Sequence, residues 1–173
     1  DRRQRQMCIR DRKSAMPEIT LFTTKQYLDI CEFIQSQLNE IGLKVNIQVE
    51  QAAILFEAVA SSEALFFRKS WIGDYPDAEN FLSLFYSSNF SPEGFNYSHY
   101  NNPQFDILYQ KAIKEQDDSL RFDYYQQMDR MIIEDAPIIP LYYDQVVRLI
   151  HSDVEGLNSN PMNMLDLRRV RKS

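Results

Sequence analysis

The stretch "EITLFTTKQYLDICEFIQSQLNEIGLKVNIQV", residues 18–49, changes its hydrophobic period twice, and those changes decide the fold. Residues 18–24 are rich in β-branched and aromatic side chains and read as a strand. Tyr27, Ile30, Cys31, Ile34, Leu38 and Ile41 then recur at helical spacing and form one apolar stripe. Gly42 follows, suited to the left-handed position that ends a helix. Residues 43–49 alternate apolar and polar, the pattern of a strand with one buried face. Further on, residues 52–61 read as a short helix, and residues 64–68 as a strand covered on both faces. This β-α-β-α-β order predicts an α/β fold with a parallel sheet, right-handed crossovers and flanking helices. Ligands in such folds bind beyond the carboxyl ends of the strands.

One such end opens "FFRKSWIGDYPDAENFL", residues 66–82, which holds the only tryptophan of the chain. Two readings stand for Asp74. It bonds the backbone N–H groups of the helix that follows, or it holds a ligand. Trp71 likewise reads as core or as ligand contact. Asp77 and Glu79 suit the positive end of a helix begun by Pro76 and running to about residue 86. With Asp74 they also make the one carboxylate cluster that a divalent cation could use, in a small α/β enzyme.

Beyond residue 86 the pattern becomes helical and aromatic. Residues 87–103 are a polar, aromatic loop. Residues 104–115 read as a helix with Phe105, Leu108, Ala112 and Ile113 inward. Ser119 is placed to cap another, with Leu120, Tyr124, Met128, Met131 and Ile132 on one face. Residues 136–150 are strand-like, but Pro140 argues against a central hydrogen-bonded position. The tail, residues 158–173, has little periodicity.

Composition narrows the function. The 173 residues carry a net charge of −6, which disfavours nucleic acid as a partner. No apolar run is long enough to span a bilayer. His99 and His151 have no partner at ligand spacing, and no zinc, calcium, phosphate-loop or nucleophile-elbow motif is present; no cofactor is expected. Residues 1–12, "DRRQRQMCIRDR", are far more basic than the rest. From Arg2 to Arg12 they resemble the translation of a transposase adapter used in preparing sequencing libraries. Five arginines and two aspartates give this stretch +3, so residues 13–173 carry −9. With Cys8 set aside, Cys31 stands alone as a small core residue.

The blocks "SWIGDYPDAENFLSLFYSSN", "NYSHYNNPQFDILYQKAI" and "RFDYYQQMDRMIIEDAPIIPLYY", in this order, resemble the C-terminal part of family 5 solute-binding proteins, the peptide-binding components of bacterial ABC importers. The resemblance implies a two-lobed binding protein that closes on its ligand. Residues 1–13 then lie outside the fold as an unstructured adapter remnant. Residues 14–138 form the second, C-terminal lobe, and residues 139–173 the hinge crossover and the return strands to a missing first lobe. Apolar surface at Ile138, Leu141 and Val147 is expected to be exposed. The resemblance makes Asp74 the partner of a peptide's free α-amino group and Trp71 a wall of the cleft. The backbone of Ser70, Trp71 and Ile72 would bond the peptide main chain, and Arg68 would meet a ligand carboxylate. It further implies a monomer that works with transporter permeases, located in the periplasm or held by a lipid anchor. Within the family the ligand class also includes nickel chelates, haem and oligosaccharides.

Overall fold

A computed structural model describes residues 18–143, 145, 147–160 and 164–173. The reading of residues 1–13 therefore lies outside the described residues. The chain divides into two compact units between Ser70 and Trp71.

In the first unit, strand β1 (Ile19–Thr23) pairs in parallel with β2 (Val45–Val49), with Ile19 opposite Val45 and Thr23 opposite Val49. Helix α1 (Leu28–Glu40) connects them, entered through a 3-10 turn at Lys25–Tyr27. Gly42 ends the helix at φ +89°. Its N–H bonds the Asn39 carbonyl at 3.0 Å, and the Leu43 N–H bonds the Leu38 carbonyl at 3.0 Å. Two carbonyls left over by the last helical turn are thereby satisfied, in the geometry that favours glycine. Leu21, Cys31 and Val45 form the buried centre, flanked by Ile30, Ile34, Leu38 and Ile47. The helical stripe and one face of each strand thus meet as the periodicity requires. The Gln35 side chain adds a 2.7 Å bond to the Val45 carbonyl. Helix α2 (Ala52–Ala60) follows, with Leu55 and Val59 buried.

The third strand is weaker than its apolar run suggests. Phe67 makes a single parallel bridge to Phe22, through Phe22 N–H to the Phe66 carbonyl (2.9 Å) and Arg68 N–H to the Phe22 carbonyl (3.0 Å). Leu65 is 86% exposed, so the stretch is not covered on both faces. An apolar run reports composition; coverage depends on which elements reach it.

The second unit is built on two helices. Helix α4 (Pro103–Ala112) is capped by Asn102, whose side-chain oxygen accepts from the N–H groups of Gln104 and Phe105, and Pro103 occupies its first turn. Helix α5 (Asp118–Asp135) is capped by Asp117, two residues before the expected Ser119. Leu82, Phe85, Phe105, Tyr109, Ala112, Tyr125, Met128 and Ile132 make the core of this unit. Tyr109 and Tyr125 replace the expected Ile113 and Leu120, which are 52% and 43% exposed. Both phenols go inward because they find carboxylate partners there, as described below. A polar helical residue is placed by its partner as well as by its spacing. The helix expected from Pro76 is shorter. Only α3 (Glu79–Leu82) is α-helical, continued by a 3-10 turn at Ser83–Phe85.

The described residues between 136 and 150 form no strand. Ile138, Leu141 and Val147 are exposed, as expected, and Tyr143 and Leu149 are 98% and 97% exposed. A small antiparallel pair, β3 (Val154–Glu155) with β4 (Arg171–Lys172), closes the tail. Among the described residues no helix is long and apolar enough to cross a membrane.

Candidate functional site

The unit boundary separates Arg68 and Ser70 from Trp71, Ile72 and Asp74, and the two groups are described separately.

Trp71 is half-buried, and its indole N–H donates to the side-chain oxygen of Asn80 at 2.8 Å. The same oxygen accepts the Asp74 backbone N–H at 3.2 Å. Asn80 is 4% exposed, so both bonds are shielded from water. One face of the indole meets Phe95, with ring centroids 5.2 Å apart and planes at 56°. Phe95 is itself 55% exposed, so the pair presents aromatic surface. The loop that carries Phe95 is organised by Asn96, which is fully buried. Its amide N–H groups bond the carbonyls of Tyr86 (3.1 Å) and Tyr100 (3.0 Å), and its oxygen accepts from Ser98 and the Tyr100 N–H. Gly94 is required beside it: a Cβ there would stand 2.4 Å from the Asn89 carbonyl oxygen.

The three carboxylates of the segment have different fates. Asp77 accepts the Glu79 backbone N–H at 2.9 Å, lies 3.8 Å from the Arg121 guanidinium and bonds the Tyr125 hydroxyl. Glu79 accepts the hydroxyls of Tyr75 and Tyr109. Burial, and then the bond to Glu79, pushes the Tyr109 phenol well above its ordinary range; burial and Asp77 do the same for Tyr125. The bond to Glu79 is the main cause that raises Tyr75. Asp77 and Glu79 therefore tie the turn to α4 and α5. Asp74 is different. Its side chain is exposed, and among the described residues its carboxylate takes no hydrogen bond and no ion pair. The bond to a backbone N–H at the start of the helix, open to Asp74 in the sequence, is made by Asp77. Among the described residues no group of three or more His, Cys, Asp or Glu could hold a metal ion. Ile72, between Trp71 and Asp74, is 78% exposed.

In the first unit, the Arg68 guanidinium lies 3.2 Å above the centre of the Tyr27 ring and donates to the Ser70 hydroxyl at 3.3 Å. Among the described residues, the backbone groups of Ser70, Trp71 and Ile72 take no backbone partner. Sequence reasoning missed Asn80 and Phe95. A polar amide between apolar Ala78, Phe81 and Leu82 was the available signal for the first. Phe95 gave none, because a loop aromatic has no periodicity to read.

Comparison with known proteins agrees with this architecture. The family model for "Bacterial extracellular solute-binding proteins, family 5 Middle" matches residues 8–93. The dipeptide-binding protein DppE of Bacillus subtilis is 30% identical over 161 residues, covering 91% of this chain and 29% of that protein. The probable deoxycholate-binding periplasmic protein YgiS of Escherichia coli is 31% identical over 116 residues, covering 67% and 21%. The crystal structure of a dipeptide-binding protein from Pseudoalteromonas sp. SM9913, in complex with Met-Leu, superposes with a TM-score of 0.81 at 26% identity. That alignment covers 100% of this chain and 36% of the other. The chain thus spans between about a fifth and a third of the length of these relatives. It belongs to family 5 of the bacterial extracellular solute-binding proteins.

Proposed function

We propose that this chain is part of the substrate-binding component of an ABC importer, and that it holds peptides by their free α-amino group at Asp74. One observation carries the reading. Of three carboxylates in one short turn, Asp77 and Glu79 are engaged by tyrosines and Arg121, and Asp74 alone is exposed without a partner among the described residues. A carboxylate beside an aromatic wall suits a ligand ammonium, because a charge-assisted bond shielded from water is strong and short. The backbone groups of Trp71 and Ile72, which take no backbone partner among the described residues, suit main-chain bonding to an extended peptide, which is indifferent to side chains. Arg68, whose planar guanidinium rests over the Tyr27 ring, suits a ligand carboxylate.

The relative named for deoxycholate points to a rival ligand class. Deoxycholate is an anion, and Asp74 would repel it at this position. The peptide reading is therefore favoured for this chain over a bile acid. Nickel chelates, haem and oligosaccharides offer no primary ammonium for Asp74 either. The reading places residues 14–138 in the C-terminal lobe and residues 139–173 in the crossover and return. It makes the protein a non-enzymatic monomer, in the periplasm or on a lipid anchor, that passes its ligand to permease subunits. Titration calorimetry on the full-length gene product tests it. Asp74→Ala is expected to weaken a free-amine peptide about tenfold or more, since removing one partner leaves the other charge unpaired. Unchanged affinity would remove Asp74 from the site.

A further inference from the structure

Asn80 touches two residues of the candidate site and one neighbour at once. Its oxygen accepts from the Trp71 indole (2.8 Å) and from the Asp74 backbone (3.2 Å), and its side chain also bonds the Tyr75 hydroxyl. Two N–H donors face one side of the amide, so that side must be the oxygen. The side chain is 4% exposed, and it sits on α3 next to Glu79, which the hydroxyl of core residue Tyr109 holds. We infer that Asn80 is a positioning residue: it fixes the distance and direction between the aromatic wall at Trp71 and the ligand-anchoring carboxylate at Asp74.

The physical reason is a shortage of alternatives. Trp71 and Asp74 stand in a stretch without regular secondary structure, residues 69–78, which has no helical or strand ladder to set its shape. A free carboxylate gains nothing from pre-organisation unless the backbone below it is fixed. Asn80 supplies that fixation through one acceptor atom shared by both ends of the turn. An apolar residue there would leave two N–H groups to find water, and the turn would spread over several shapes. Asp at this position keeps the acceptor, but it loses the donor to Tyr75 and adds a buried negative charge beside Glu79. The positioning role rests on the proposed peptide reading; the contact to Trp71 does not.

The test uses the full-length gene product and two kinds of readout. In the wild type, the Trp71 indole N–H is expected to exchange with deuterium about a hundredfold or more slowly than free indole, because its acceptor is buried. Exchange at the free rate would overturn the inference, and this readout needs no variant to fold. With Trp71 the only tryptophan in the chain, its emission can be assigned without ambiguity once any others in the full-length gene product are replaced by Phe. Asn80→Leu should shift the emission to the red and weaken a free-amine tripeptide about tenfold, with an N-acetylated control unaffected. Asn80→Asp should restore the emission. Wild-type emission and affinity in Asn80→Leu would overturn the inference. A wild-type protein that binds no free-amine peptide would instead sink the peptide reading, and indole exchange would still decide whether Asn80 holds Trp71.

Discussion

A phenol and a carboxylate at the surface of the second unit give a pH signature that belongs to single residues. The Tyr100 hydroxyl donates to Asp135 at 2.6 Å, and Asn102 donates to the same carboxylate at 3.0 Å. Burial, then the Asp135 bond, raises Tyr100 from an ordinary 10.0 to about 12. Folding thus favours the protonated phenol. Its stabilising share is complete below about pH 10 and is lost as pH rises through about 12. Tyr100→Phe is expected to flatten part of the decline in thermal midpoint across that window, with Tyr75, Tyr97, Tyr109 and Tyr125 contributing to the remainder. A midpoint profile between pH 9 and pH 12 checks this. Asp135 runs the other way: its bonds to Tyr100 and Asn102 lower it, so its share is present above its unfolded value and fades as pH falls through the folded one. At this scale the sequence showed Trp71 and Asp74 as singular residues, and it left two roles open for each. It set Asp74 apart from Asp77 and Glu79, which suited a helix start, but it could not show what engages those two. Their partners, Tyr109, Tyr125 and Arg121, lie 30 residues or more away along the chain and meet them only after α4 and α5 pack.

Among the elements, helices α4 and α5 and the loop bearing Phe95 meet the turn that carries Trp71 and Asp74. Phe105 and Met128 are fully buried at the centre of the α4–α5 contact. Phe105→Ala is expected to cost about 3–5 kcal/mol in urea unfolding, transfer loss plus cavity. Asp117→Ala, which leaves the Leu120 N–H without its 3.0 Å acceptor, is expected to cost about 1 kcal/mol. Gly94→Ala would press a methyl against the Asn89 carbonyl, and about 1–3 kcal/mol of destabilisation is expected, with Phe95 and hence the Trp71 face disturbed. The β1-α1-β2 unit was legible almost to the residue, because its two periods are strong and Gly42 marks the turn. The third strand and the helix after Pro76 were not. A run such as residues 64–68 tells a reader that burial is favourable, but the coverage comes from elements elsewhere in the fold. In residues 74–78 the chain spends its polar groups on local turns, and these delay the helix until Glu79.

At the scale of the molecule, the exposed apolar surface after α5 carries a prediction of its own. The described residues between 136 and 150 expose Ile139, Tyr143, Val147 and Leu149, and their backbone forms no strand. Amide hydrogen exchange on this chain is expected to show residues 147–150 nearly unprotected and α5 strongly protected. Strong protection of residues 147–150 would contradict the exposure found here. Family membership was legible from three blocks of sequence, since W-x-x-D-Y-P-D and E-D-A-P-x-x-P-L-Y are specific together. The ligand was not, because ligand choice depends on side chains that converge only in the folded protein. The most direct measurement on the central claim is a pair of calorimetric titrations of the full-length gene product, with one tripeptide bearing a free amino terminus and the same tripeptide N-acetylated. Binding by a free α-amino group at Asp74 predicts that acetylation weakens affinity about tenfold or more in the wild type and makes no difference in Asp74→Asn. Equal affinity for both peptides in the wild type would contradict it.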